Sequence, residues 1–167
     1  MPKMAALRRK PPAGWEMVEE ELAEFDRQMK EAVLDSHEGY RRCEAQWGIH
    51  RVAHMRTRFL FEQYYRRGRI SRDLYAYCVR EGYVDERLAA RWKKPGSEFL
   101  CCTRCVERRD TAHGTNCICR VPRRHLSAAQ QQPCLQCGCE GCATEDMTVR
   151  QPEEQDQEQE QEQEDQD

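Results

Sequence analysis

Long apolar runs are absent from this 167-residue chain, in which 38% of residues are hydrophobic, 8% aromatic and 34% charged. Nothing in it approaches the roughly 20 consecutive apolar residues of a membrane-spanning helix, so no membrane partner is expected. The N-terminal stretch MPKMAALRRKPPAGW has no apolar segment of an export signal behind its basic residues. An intracellular, reducing setting is therefore expected, where cysteines serve as thiols or metal ligands in preference to disulfides. A Ser/His/Asp arrangement, a glycine-rich phosphate loop and paired aromatic strands of an RNA-recognition module are missing too. Those absences argue against an enzyme and against a small-molecule substrate.

Cysteine is what the chain has in excess. Of eleven, nine fall in one segment: Cys101, Cys102, Cys105, Cys117, Cys119, Cys134, Cys137, Cys139 and Cys142. The run reads CC-x2-C, C-x-C, then C-x2-C-x-C-x2-C, with almost no apolar residues between the ligands. Metal must then replace the core that this segment lacks. Cysteine-only sites are closed and structural, without an open position for reacting water.

Tetrahedral zinc takes four ligands, so two separate four-cysteine sites would strand one of the nine. Three zinc ions need twelve ligations, which nine thiolates supply when three of them bridge. A three-zinc, nine-cysteine cluster is therefore expected. The adjacent pair Cys101/Cys102 and the C-x-C pairs Cys117/Cys119 and Cys137/Cys139 are expected to serve neighbouring ions. An iron–sulfur cluster is a weaker reading, and a thioredoxin-like redox role lacks its βαβ context. His113 and His125 are read as non-ligands. Cys43 and Cys78 sit among helical apolar positions and are read as small core residues. Nine thiolates with three divalent ions carry a formal −3, which Arg104, Arg108, Arg109, Arg120, Arg123 and Arg124 are placed to offset.

The pattern along the chain predicts a mainly α fold with four parts. Residues 1–14 read as an extended basic arm, residues 15–96 as a small helical module, residues 97–142 as an irregular zinc-stabilised module, and residues 143–167 as a disordered Gln/Glu-rich tail. Within the helical module, Val18, Leu22, Phe25, Met29 and Val33 mark a helix from Glu16 to about Asp35. A second stretch is expected from Tyr40 to Trp47, with Gly48 as a break. A third is expected from Ile49 to Arg67, with Val52, Met55, Phe59 and Tyr64 on its apolar face and Gly68 at its end. Ser71 caps a helix carrying Leu74, Tyr77 and Cys78 and ending at Gly82, and Asp85 caps a short one through Trp92. Gly114, Gly138 and Gly141 supply the tight turns of the metal module.

Charge is divided as sharply as cysteine. Residues 143–167 hold eleven acids and one base, Arg150, so residues 1–142 hold 26 Lys+Arg against 19 Asp+Glu. A basic body with an acidic tail is a polarity that accompanies nucleic-acid binding. The candidate RNA contacts are Lys3, Arg8, Arg9 and Lys10 in the arm, with Arg51, His54, Arg58, Arg66, Arg67 and Arg69 in the third helix and its following turn. Arg51, His54 and Arg58 share one helical face and can track a phosphate backbone together. A solvated basic face is the plain alternative for each of them. The tail either competes with RNA for this face or keeps the protein soluble.

The segments PPAGWE, HEG, ISRDLYAYC, EGY, WKK, LCCTRC, RDT, GTNCICRVP and CGCEGC together resemble the G-ten family, small nuclear proteins also known as bud-site-selection homologues. The resemblance covers residues 1 to about 142 and matches all nine family cysteines. It implies a helical N-terminal half, a zinc-bound C-terminal half and a non-enzymatic scaffolding role in the nucleus. The place implied is beside snRNA and splicing proteins, near the catalytic RNA of the activated spliceosome. The chain departs from the family in its sparser basic arm, in Gly48 where proline is common, in Pro95-Gly96-Ser97, and in the acidic extension. It looks like a diverged paralogue, with no homo-oligomer expected. The competing expectation is a nuclear transcriptional cofactor that offers Phe59, Phe61, Tyr64 and Tyr65 to a receptor groove.

Overall fold

A computed structural model of the chain describes residues 10–36, 38–111 and 114–148, and within these not the side chains of Arg108 and Thr148. Regular structure there is helical, with no strand among the described residues. The chain divides into two compact units between Ala89 and Ala90.

The first unit opens on a single 3₁₀ turn, Trp15–Met17, entered through Gly14 at φ 87°. Its helix α1, Glu19–Leu34, begins with three consecutive glutamates against the positive end of the helix dipole. Val18 and Leu22 are buried, whereas the last turn leaves the core, with Val33 56% exposed. The stripe read from sequence therefore tapers towards the C-terminus of α1.

The expected helix from Tyr40 to Trp47 shrinks to one 3₁₀ turn, Glu44–Gln46, held by the Glu44 carboxylate on the Arg41 backbone N–H at 2.9 Å. Gly48 is not a break. Helix α2 runs through it, Trp47–Phe61, and a Cβ at position 48 would lie 3.3 Å from that of Ala32. The residue that reads as a helix breaker sits where α1 and α2 approach so closely that a side chain would press on Ala32.

The buried face of α2 also differs from the expected one. Val52, Thr57, Leu60 and Phe61 are buried, while Met55 is exposed and Phe59 is half-buried against Phe25, ring centroids 6.0 Å apart. The face turns because Arg56 points inward between Val52 and Leu60. Its guanidinium donates to Gly82 O (3.0 Å), Tyr83 O (3.1 Å) and Asp26 Oδ1 (3.3 Å), and lies over the Tyr83 ring. One cation thereby ties α1 and α2 to the turn after α3. Thr57 adds a second link, its hydroxyl donating to Ala53 O and accepting the Asp85 backbone N–H.

Beyond Phe61 the helix widens into a π turn, Glu62–Arg66, with the Arg67 N–H on Glu62 O. Gly68, at φ 62°, reverses the chain. Helix α3, Arg72–Arg80, is capped as expected: the Ser71 hydroxyl accepts the Leu74 N–H, and Leu74, Tyr77 and Cys78 are buried. Burial pushes the Cys78 thiol up to about 11, so it is a neutral core group. Cys43 is only half-buried. Helix α4, Glu86–Trp92, starts at Asp85, whose carboxylate accepts the Leu88 N–H at 3.0 Å.

The second unit is built from single 3₁₀ turns, among them Thr103–Cys105, Ile118–Arg120 and Arg123–His125, and one short helix, α5, Thr144–Thr148. Its buried apolar residues other than cysteine are Trp92, Leu100 and Ala143, with the Trp92 indole N–H on Leu100 O at 2.8 Å. The start of the expected tail is thus ordered structure. Asp146 accepts the Arg123 backbone N–H at 3.1 Å, and the Thr144 hydroxyl donates to Glu98 at 3.0 Å. Residues 149–167, on which the expectation of disorder falls, lie outside the described residues.

The arginine at the centre of the first unit gives a test. Arg56→Ala strands two carbonyls and a carboxylate, and should cost about 2–3 kcal/mol. A lowered urea midpoint, followed by far-UV circular dichroism, would show it. The surface pair partner Arg27, on Glu24 and Glu31, should tolerate the same change with little effect.

Candidate metal centre

Turns of three to five residues carry the nine cysteines inward, and backbone bonds between ligand residues lace the turns together. The Cys117 N–H donates to Cys105 O (3.0 Å), that of Cys134 to Cys139 O (2.9 Å), and that of Cys142 to Cys119 O (2.8 Å). Gly138 at φ 70° and Gly141 at φ 144° make the reversals around Cys139 that a side chain would resist. Cys105, Cys119, Cys134 and Cys142 are buried, and the other five are half-buried.

The sulfurs gather into three groups of four, each with its members within 4.8 Å of one another. One is Cys101, Cys102, Cys105 and Cys137; the second is Cys101, Cys119, Cys139 and Cys142; the third is Cys105, Cys117, Cys119 and Cys134. All nine cysteines are used, and three of them, Cys101, Cys105 and Cys119, belong to two groups each. Neither His125 nor any carboxylate joins a group. His113 lies outside the described residues.

Neighbouring sulfurs are 3.3 Å (Cys117–Cys134) to 3.8 Å (Cys101–Cys119) apart. A disulfide needs about 2.05 Å, and every cysteine is free. A tetrahedron with metal–sulfur bonds of about 2.3 Å has edges of about 3.8 Å. The donor set thus fits soft tetrahedral metal ions with shared thiolates. Without metal, the packed thiols divide their protons unequally. Contacts with Cys101 and Cys102 hold Cys105 below the ordinary thiol range, while contacts with Cys102 and Cys105 push Cys101 above it.

Each of the three close pairs reaches more than one group, but only one pair separates completely. Cys137 and Cys139 fall in different groups, but Cys101/Cys102 and Cys117/Cys119 each share one. The extended backbone at Cys102 (φ −163°, ψ 161°) and the 3₁₀ turn after Cys117 bring both members of a pair to one centre. The shared member of each of these two pairs, Cys101 or Cys119, also reaches the next group.

Charge compensation at the cluster falls chiefly to one arginine. Arg120 donates to Cys142 Sγ (3.5 Å), to Cys142 O and to Gly96 O (2.5 Å). Backbone N–H groups add to it: Gln136 on Cys134 Sγ and Gly141 on Cys139 Sγ, both 3.3 Å. Arg109 pairs instead with Glu107 and Arg124 with Glu145. These backbone donors have no signature in the sequence beyond the glycines that shape the turns.

The candidate RNA contacts separate into free and committed groups. Arg51, Arg66, Arg67 and Arg69 are exposed and have no carboxylate partner among the described residues. Arg58 is drawn onto Glu62 at 2.7 Å and over the Phe61 ring, and His54 is half-buried and engaged. The proposed track of Arg51, His54 and Arg58 is therefore broken. Lys10 is exposed, whereas Lys3, Arg8 and Arg9 lie outside the described residues. No helix among the described residues is long and apolar enough to cross a membrane.

Known proteins match the chain over residues of both units. The family model for Pre-mRNA-splicing factor BUD31 matches residues 1–144. A Protein BUD31 homolog from Danio rerio is 51% identical over 143 residues, 86% of this chain and 99% of that protein. Pre-mRNA-splicing factor BUD31 of Saccharomyces cerevisiae is 38% identical, spanning 87% of this chain and all of its own length. Pre-mRNA-splicing factor cwf14 of Schizosaccharomyces pombe is 39% identical over 147 residues. With the family model covering both units and relatives matched over nearly their whole length, the chain belongs to the BUD31 family of pre-mRNA-splicing factors.

Proposed function

We propose that this chain is a non-enzymatic structural component of the nuclear pre-mRNA splicing machinery, whose cysteine module folds around three zinc ions. The observation that carries the metal reading is the sharing pattern: nine sulfurs form three tetrads because Cys101, Cys105 and Cys119 count twice. Those three are the bridging ligands, and the other six are terminal. Thiolates that bridge metal directly need no inorganic sulfide, which favours zinc over an iron–sulfur cluster. All four positions of each ion are filled by sulfur, leaving none for a substrate. The metal supplies the folding energy that three buried apolar residues cannot.

Membership of a splicing-factor family supports the biological setting, and the basic body supports contact with snRNA and its proteins near the catalytic RNA core. In this role the helical part and the arm carry the RNA contacts, while the zinc module is a rigid docking body. The transcriptional-cofactor alternative needs free aromatic side chains. Phe61 is buried, Phe59 packs on Phe25, and Tyr64 stacks on Tyr75 at 4.6 Å. Tyr65 is 44% exposed but packs on Phe61, so most of the cluster is spent on the fold.

Native mass spectrometry of the purified chain should show three zinc ions, and a count of two would sink the shared-thiolate cluster. Cys102→Ser takes a ligand from one tetrad and Cys119→Ser from two. The second variant should therefore lose more zinc than the first and lose the structure of the module. Because the ligands must be thiolates, zinc should be released as pH falls and retained as it rises. Purification from nuclear extract should recover snRNAs and splicing proteins. Recovery of transcription-factor complexes in their place would overturn the splicing role.

A further inference from the structure

We infer that the connection between α2 and α3 is a docking platform for the phosphodiester backbone of a folded RNA, gripped by Arg66, Arg67, Arg69 and Arg72 without reading bases. The inference rests on the RNA-contacting role proposed above and narrows it to one segment. The first unit divides its arginines into two kinds. Arg27, Arg41, Arg56 and Arg58 each hold a carboxylate of their own fold. Arg66, Arg67, Arg69 and Arg72, four within seven residues, are exposed and have no acidic partner among the described residues. The nearest acids do not relieve them. Glu62 is taken by Arg58, and Asp73 is exposed and paired with none of the four.

The segment that presents these guanidiniums is pinned. The Arg67 N–H donates to Glu62 O and the Arg69 N–H to Gln63 O, both at 2.9 Å. Ile70 is buried beneath it, and the Ser71 cap fixes the start of α3 at 3.2 Å. Gly68 makes the reversal at φ 62° with no neighbour within 4 Å of a Cβ built there. Like charges are thus held close together on a backbone that cannot spread to separate them. A partner with regularly spaced anions relieves that repulsion, and guanidinium forks match phosphate oxygens in pairs.

The aromatic side chains beside the arginines decide how RNA is held. Tyr64 and Tyr75 stack on each other with ring planes 16° apart, and Tyr65 stands edge-on to both and packs on Phe61 at 4.8 Å. Tyr64 and Tyr75 each give one face to the other, and Tyr65, although 44% exposed, is held edge-on against both and against Phe61, so the rings are engaged with one another beside the arginines. Recognition falls to backbone and shape, which is how folded, paired RNA is held. An acidic protein partner would need an apolar anchor beside the charges, and Ile70, the aliphatic residue among them, is buried.

The test compares the full chain with the Arg66→Gln/Arg67→Gln/Arg69→Gln/Arg72→Gln variant by fluorescence anisotropy, from 50 to 200 mM salt. The ligands are a fully paired RNA hairpin, a uridine strand of equal length and a poly-glutamate peptide. The wild-type chain should prefer the hairpin whatever its stem sequence. The variant should lose about three to four from the slope of log affinity against log salt, roughly one per phosphate contact. Arg27→Gln/Arg41→Gln, which removes paired surface charge, should keep the wild-type slope. Circular dichroism and zinc content verify folding, and Arg66→Gln and Arg69→Gln alone, each lowering the slope by about one, serve if the fourfold variant misfolds. An unchanged slope in these variants overturns the platform and leaves RNA contact elsewhere intact. Preference for the uridine strand or for poly-glutamate also overturns it. Failure of the wild-type chain to bind any RNA overturns the RNA-contacting role as well.

Discussion

Convergence of nine cysteine sulfurs is the constraint on which the second unit depends. Trp92, Leu100 and Ala143 are the only non-cysteine apolar residues it buries among the described residues, and such a core cannot offset the entropy of ordering some fifty residues. The nine sulfurs stand where a hydrophobic centre would be. Their close packing suits cations held between them, because thiolates at 3.3–3.8 Å repel one another strongly. Arg120 and the N–H groups of Gln136 and Gly141 donate to three of these sulfurs, those of Cys142, Cys134 and Cys139. The 3₁₀ turns follow as a consequence, since short turns are the geometry that delivers sulfur at these spacings.

The first unit solves the same problem by conventional burial, but around a cation. Arg56 occupies the position on α2 between Val52 and Leu60 where an apolar residue is anticipated. Its long aliphatic stem lies in the core, and its head satisfies two carbonyls of the turn after α3. Those carbonyls lie just past the end of α3, whose own last carbonyls the turn already satisfies through the N–H groups of Glu81, Gly82 and Tyr83, so the arginine takes up acceptors that the backbone leaves over. The close contact of Gly48 with Ala32 brings α1 and α2 near enough for the arrangement.

These features mark the boundary of what could be read in advance. Ser71, Asp85, Gly68 and Gly82 were legible because capping and left-handed turns depend on local chemistry alone. The gathering of the nine cysteines was legible because it is a matter of counting, and three sulfurs shared between groups are what nine donors in three groups of four require. Identities of the shared sulfurs were not, since Cys101 and Cys102 differ only in how an extended backbone turns one towards two centres. Gly48 misled for a related reason, and the role of Arg56 had no signal in the sequence. Each takes its meaning from a residue far along the chain, Ala32 in one case and Gly82 with Tyr83 in the other. Arg58 was read as a phosphate contact because its partner, Glu62, lies one turn away on a face that the π turn alters.

Sharing has an implication for how the protein is made. In the proposed cluster Cys101, Cys105 and Cys119 each serve two ions, so an ion that leaves would take half the charge balance of two neighbouring sulfurs with it. Partly filled chains would then be penalised relative to full and empty ones. On that reading, supply of competent protein would follow available zinc as a threshold, with newly synthesised chains either complete or unfolded and open to proteolysis.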